Sequence, residues 1–207
     1  MTEEILLRLT ESKTYRAFAL LLLPAAFIYG LVLPFCWGNN PAEVHGTLSL
    51  LCENHIPAFW VWTLLTGGAF TTNLLLVYDR FGDKRRLPRI CLFLSMLGMV
   101  LTAATLNHSI ENWNPKRVLH WLGAILYAAG LAAAFLLFYF KQMRAVRRLI
   151  PFVVVSVLLL VSVLVQLLVF DRNGYMEIIP IAAYELELFL LNYTGLVRPK
   201  VRRATAG

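Results

Sequence analysis

Charge is scarce in this chain. Asp, Glu, Lys and Arg make up 15% of its 207 residues, against about 25% in soluble domains. That shortage excludes an ordinary soluble enzyme. Hydrophobic residues make up 59% and the mean hydropathy is +0.67. Six apolar runs with short connections take up nearly all of the sequence, which leaves no room in it for a soluble catalytic domain.

The chain also lacks the signals of other membrane architectures. The apolar runs are continuous and rich in Leu, Ala and Val, not alternating ten-residue strands, so they are helices. About 20 apolar residues are needed to cross a bilayer core. Six runs qualify: 17–36, 58–78, 88–106, 118–140, 149–170 and 178–197. No cleavable signal sequence is evident, because the first run follows Glu3, Glu4 and Glu11 and has no small-x-small site after it.

Lys and Arg are nearly missing from three of the connections, which hold only Lys116, Arg117 and Arg172. The other sixteen of nineteen lie on one side. They are in the N-terminal tail, between the second and third runs (Arg80 to Arg89), between the fourth and fifth (Lys141 to Arg148) and in the C-terminal tail (Arg198 to Arg203). The positive-inside rule predicts an all-α, multi-pass bundle of six transmembrane helices with both termini cytoplasmic. The net charge of +7 then reflects retention on the cytoplasmic face and contact with anionic lipid heads, not a nucleic-acid partner.

Cysteine is limited to three residues. Cys36 and Cys52 fall at the first outer loop, where a bridge between them is a candidate disulfide. Cys91 reads as a small apolar filler in the third run. Small residues recur four apart in the fourth run (Ala124, Ala128; Gly130, Ala134), and Gly67, Gly68, Thr71 and Thr72 cluster in the second. Such residues let helices approach closely in lipid, so helices two and four are expected to pack centrally and the uniformly apolar fifth to be peripheral. Pro24 predicts a kink and Pro34 an end to the first helix. Pro88, Pro151 and Pro180 suit first turns.

Every histidine maps to the outer side: His45, His55, His108 and His120. Glu43, Glu53, Glu111, Asp171 and Glu177 gather at the same level. Histidine with carboxylate is a ligand set for zinc or a non-haem metal, with His108, His120 and His55 as the candidates. No two histidines are three or four residues apart on one helix, so three loops would have to converge. No cofactor is otherwise implied. All five tryptophans lie on the outer side, as interfacial anchors.

Glu185 and Glu187 lie inside the sixth run, roughly 8–10 Å below a helix end counted from Pro180. Carboxylates at such depth face the bundle interior, a partner or water. Residues two apart point about 200° from each other, so one pocket does not hold both. Tyr184, Glu185 and Asn192 are expected to form an inward polar stripe, with His120 as the partner of Glu185. Asn73 marks a second polar layer nearer the cytoplasmic end. With His108, His55 and Glu53 these are the candidate site residues.

Three stretches together resemble a known group: Leu50-Leu51-Cys52-Glu53-Asn54-His55-Ile56-Pro57, Val118-Leu119-His120-Trp121-Leu122-Gly123-Ala124 and Ala183-Tyr184-Glu185. The pattern resembles the DRAM/FRAG/SFK-like six-span membrane proteins and related bacterial proteins, without that family's Ser-x-Thr-Gly element. The resemblance implies lipid handling, as in lipid remodelling of GPI anchors, phospholipid asymmetry and autophagy, and carries no catalytic residues. The expected function is to bind or handle membrane lipids, or to stabilise a membrane protein partner, through a polar site in the outer half of the bundle. The alternatives are a metal-dependent lipid hydrolase or acyl-transfer enzyme using that His/Glu site, then a small transporter or a haem-binding subunit. The His-x-x-x-His element of ceramidase-like hydrolases is missing, and no histidine lies on the inner side as a di-haem cytochrome needs.

Overall fold

Breakers in the sequence set where the helices begin and end. A computed structural model describes residues 10–38, 40–42, 47–106, 114–169 and 173–197. The long helices are α1 (Lys13–Val32), α2 (Ile56–Arg80), α3 (Arg86–Ala104), α4 (Pro115–Gln142), α5 (Ile150–Val169) and α6 (Tyr175–Tyr193). Among the described residues there is no strand. Pro57 and Pro115 open α2 and α4 at the first turn, where the missing N–H is no loss. Asn114 caps α4 by accepting from the Lys116 N–H at 2.8 Å. α1 continues through Pro24 and gives way at Leu33–Gly38 to a 3₁₀ turn, as expected beside Pro34.

Five helices, α1 to α5, are long and apolar enough to cross a membrane. α6 is not among them, because it carries Glu177, Glu185 and Glu187 in nineteen residues. It also starts earlier than Pro180 suggests. Gly174 donates its N–H to Pro41 O at 2.8 Å, and Glu177 Oε2 accepts from the Leu48 N–H at 2.8 Å. These bonds hold a first turn that lies ahead of the proline. Pro180 therefore sits inside the helix.

α2 is the central element. It packs against α1, α3 and α6, and 56% of its apolar stretch is buried against 17% for α5. α4 reaches α2 mainly through large side chains: Phe135 meets Phe70 edge-on, and Tyr78 Oη donates to Ala134 O at 3.1 Å. The small residues of α4 face α3, in the most extensive helix contact of the fold. A Cβ on Gly98 would lie 2.5 Å from Tyr127 N and 2.6 Å from Gly123 O. A Cβ on Gly123 would lie 2.7 Å from Thr102 Oγ1, and one on Gly130 2.9 Å from Cys91 O. The expected close approach exists, with α3 as the partner of α4.

The basic end is tied by arginines. Arg80 donates to the carbonyls of Leu191, Asn192 (3.0 Å) and Val197 (3.3 Å), so a cation from α2 closes the C-terminal turns of α6, where the helix dipole favours it. In the α2–α3 turn, Gly82 takes φ +65. Arg85 then grips Asp83 with Nε to Oδ1 at 2.9 Å and Nη2 to Oδ2 at 2.6 Å. Burial works to raise the Asp83 pKa. The hydrogen bonds from Arg85 and the charges of Arg85 and Arg89 outweigh it, and hold the carboxyl below the usual 3.8.

Two predictions follow from this geometry. Gly98→Ala should destabilise the purified protein by roughly 1–3 kcal/mol, because its Cβ meets backbone that has no room to move. Gly68→Ala should cost far less, since its Cβ meets only the end of Leu22 at 3.0 Å. Thermal unfolding in one detergent compares them. Asp83 is depressed in the folded state, so its stabilisation is present above its unfolded value and is lost as pH falls below about 4. Asp83→Asn should lower stability by roughly 1.5–3 kcal/mol at neutral pH, the range for hydrogen bonds to a charged group, and should remove that acid-dependent loss. An unfolding series in pH checks both points.

Candidate functional site

Along α6, Glu185 lies ten residues from Tyr175, roughly 15 Å from the start of the helix, and Glu187 roughly 18 Å. Both are buried, at 2% and 5% exposure. The 200° between them sends them to different neighbours.

Glu185 stands in the wall of a crevice between α1, α2 and α6. Phe27, Gly30, Leu31, Trp62, Ile178 and Ile181 line it, with Leu48 beside them. The crevice is a shallow, open groove: its interior holds about 10 Å³, room for about one water, within about 230 Å³ of empty space that runs out into the surroundings. Every other side chain in it is apolar or aromatic. Gly30 opens it over the Trp62 indole, since a Cβ there would come within 3.4 Å of Nε1. Leu48 is held in place by the Glu177 bond, so the first turn of α6 fixes one wall. Glu185 Oε1 is fully buried and has no hydrogen-bond partner. Thr63 Oγ1, Thr66 Oγ1 and the Tyr127 hydroxyl, also buried, have none either.

Glu187 turns toward α4 and α5. Tyr139 Oη donates to Glu187 Oε2 at 2.6 Å, and Ser156 Oγ lies 3.4 Å from the same oxygen. Oε1 is buried without a partner. Tyr184 stacks on Phe135 at 4.4 Å.

The expected His120–Glu185 pair is not formed. His120 is buried in the α3–α4 seam, where its Nδ1 lies 3.0 Å from Thr102 O. Glu185 faces the crevice on the side of α1. The inward stripe divides in the same way. Tyr184 and Glu185 are buried in mid-helix, whereas Asn192 belongs to the polar layer at Asn73. There Asn192 Nδ2 donates to Asn73 O at 3.0 Å and the Tyr193 hydroxyl to Asn73 Oδ1 at 2.8 Å. Asn73 Nδ2 in turn donates to Ala19 O at 3.1 Å. That layer joins α1, α2 and α6.

His55 precedes α2, and its ring stacks on Trp37 at 3.6 Å, nearly parallel. Trp37 holds a φ of 61 to reach it. Glu53 sits in the turn before His55, its N–H donating to Leu50 O at 3.1 Å. Cys36 and Cys52 are free thiols, not bridged. Burial, with Cys36 and Glu177 nearby, pushes the Cys52 pKa up to about 12, so it stays protonated. His108, His45, Glu43, Glu111 and Asp171 lie outside the described residues. Among the described residues no three His, Cys, Asp or Glu side chains converge as metal ligands.

Sequence reasoning missed Tyr139 and Ser156 as partners of Glu187, and Thr63, Thr66 and Tyr127 as buried hydroxyls. Each is a lone hydroxyl in an apolar run, and a run alone does not show which face meets a carboxylate. The separation of His120 from Glu185 gives a prediction. Glu185→Gln and His120→Ala should change thermal stability additively, within about 0.5 kcal/mol, as for sites without shared partners. A coupling above that in the double mutant would restore the pair.

Compared with protein-family models, with curated proteins and with solved structures, the chain matches none.

Proposed function

We propose that this is an integral membrane protein of six spans, with its basic end in the cytoplasm, that binds a lipid in the crevice at Glu185. α6 serves as the sixth span because its carboxylates are hidden. Glu177 is in the first turn, and Glu185 and Glu187 are buried. The exposed positions of α6 are Tyr175, Ile179, Leu186 and Phe189, so the surface offered to lipid is apolar. The sixteen basic residues on one side support the orientation.

The observation that carries the lipid reading is Glu185, the one carboxyl that lines an otherwise apolar crevice, with its Oε1 buried and without a partner. A buried acceptor without a partner costs about 1–3 kcal/mol. It persists here at the depth of a membrane interior, where an ionisable residue marks a functional site. An amphiphile satisfies both parts of the crevice. Its chain lies along Phe27, Leu31 and Ile181, and a hydroxyl, amide or ammonium of its head donates to Glu185. The same reading agrees with the lipid handling that the resemblance to DRAM-like proteins implies.

Lipids retained through purification in mild detergent, measured by native mass spectrometry, test the proposal. The wild type should hold about one lipid per chain. Glu185→Gln, which replaces the charged acceptor, should weaken retention roughly tenfold or more, from a charge-assisted bond of about 1.5–3 kcal/mol. Gly30→Leu, which fills the crevice and leaves the carboxyl untouched, should do the same. Wild-type retention in both variants would sink the reading.

A further inference from the structure

The basic end of the bundle carries two clusters of cations with different roles. Those around the α2–α3 turn are engaged within the fold. Arg80 closes the end of α6, Arg85 is held by Asp83, and Arg89 Nη2 donates to Asp83 O at 3.4 Å. The turn between α4 and α5 is built otherwise. Lys141 stands in the last turn of α4, Arg144 follows it, and Arg147 and Arg148 lead into α5. All four are exposed. Arg148 uses one donor on Leu196 O at 3.2 Å. Among the described residues, the side chains of Lys141, Arg144 and Arg147 have no hydrogen bond or ion pair. Neither α4, α5 nor the turn between them contains an Asp or Glu.

The turn is nonetheless fixed. Val146 and Leu149 are buried at 7% and 0% exposure, and the Val146 N–H donates to Gln142 O at 2.9 Å. The cations are therefore carried on an ordered frame. Large apolar side chains adjoin them in the chain, with Phe140 46% exposed, Ile150 47% and Val154 50%. We propose that this corner binds one anionic phospholipid, its phosphate among Lys141, Arg144 and Arg147 and its acyl chains on the exposed apolar surface of α4 and α5. Phosphate is the anion that guanidinium and ammonium groups recognise. An acidic protein segment would use the charges and leave the apolar residues without a role. The general excess of basic residues draws this whole end toward an anionic surface, whereas the corner supplies one discrete place on it. Of the proposed function it uses only the placement of α4 and α5 in the membrane, and it is independent of any lipid at Glu185.

Full-length protein stripped of lipid in mild detergent tests it. One arm adds phosphatidylglycerol, the other phosphatidylcholine with the same acyl chains, and bound lipid is counted by native mass spectrometry. The wild type should bind phosphatidylglycerol roughly tenfold or more tightly than phosphatidylcholine, and the difference should shrink as salt is raised. Lys141→Gln, Arg144→Gln and Arg147→Gln together should abolish that preference, since each charge is worth about fivefold. Arg148 stays, because it is tied to Leu196. A control carrying Lys13→Gln, Lys84→Gln and Arg86→Gln removes the same charge from the same end and should keep the preference. Glu185→Gln should keep it too, which separates this site from the crevice. If the triple corner variant does not fold, the three single variants decide it, each expected to lose about fivefold. Equal binding of the two lipids by the wild type, or a control that loses as much as the corner variant, overturns the proposal. Displacement of phosphatidylglycerol by inorganic phosphate at the same concentration also overturns it, because the ligand is then the free anion.

Discussion

Away from water, every polar group must find its partner inside the protein, and the rest of this structure depends on how α6 meets that demand. Its two ends meet it fully. Glu177 accepts from Leu48 N–H, Gly174 donates to Pro41 O, and at the other end Arg80 closes the last carbonyls. Asn192 and Tyr193 are absorbed by Asn73, which also holds α1. The middle meets it only in part. Glu187 has donors on one oxygen, and Glu185 Oε1 has none.

The helix arrangement follows from two kinds of spacing. Where glycines face each other, as Gly98 and Gly123 do, α3 and α4 approach until no Cβ fits between their backbones. Where aromatics face each other, as Phe70, Phe135, Tyr78 and Phe138 do, α2 and α4 are held apart by side chains. On that wider side the Tyr78 hydroxyl crosses from α2 to Ala134 O of α4. Close packing on one flank of α4 and bulky packing on the other leave Tyr139 of α4 to reach Glu187 of α6.

Much of the helical layout was legible in the sequence, because long apolar runs and prolines at first turns are strong one-dimensional signals. Helical periodicity also placed Glu185 and Glu187 on different faces, and Asn73 in a separate polar layer. The start of α6 was not legible. Pro180 argued for a first turn, but hydrogen bonds to Pro41 and Leu48, more than a hundred residues away in the chain, extend the helix by five residues. The His120–Glu185 pair failed for a related reason. Depth along a helix is readable from residue count, but the rotation that turns His120 to Thr102 O is set by the glycine seam with α3. Pattern identified the small residues of α4 without identifying their partner.

A helix bundle can tolerate unsatisfied buried groups if the elements around them are fixed. α6 is fastened by carboxylate and backbone bonds at one end, and by arginine and asparagine bonds at the other. Its middle therefore cannot rotate to bring Glu185 to new partners without displacing Glu187 from Tyr139 and Ser156, because the two stand about 200° apart on one rigid helix. Both carboxyls stay where they are, one toward α1 and one toward α4 and α5. A helix packed only for stability would carry Leu at these positions, since replacing buried ionic groups with apolar ones is often neutral or stabilising. Two carboxyls pinned in opposite directions in the same helix, each with an oxygen left unpaired, are thus not accounted for by packing alone.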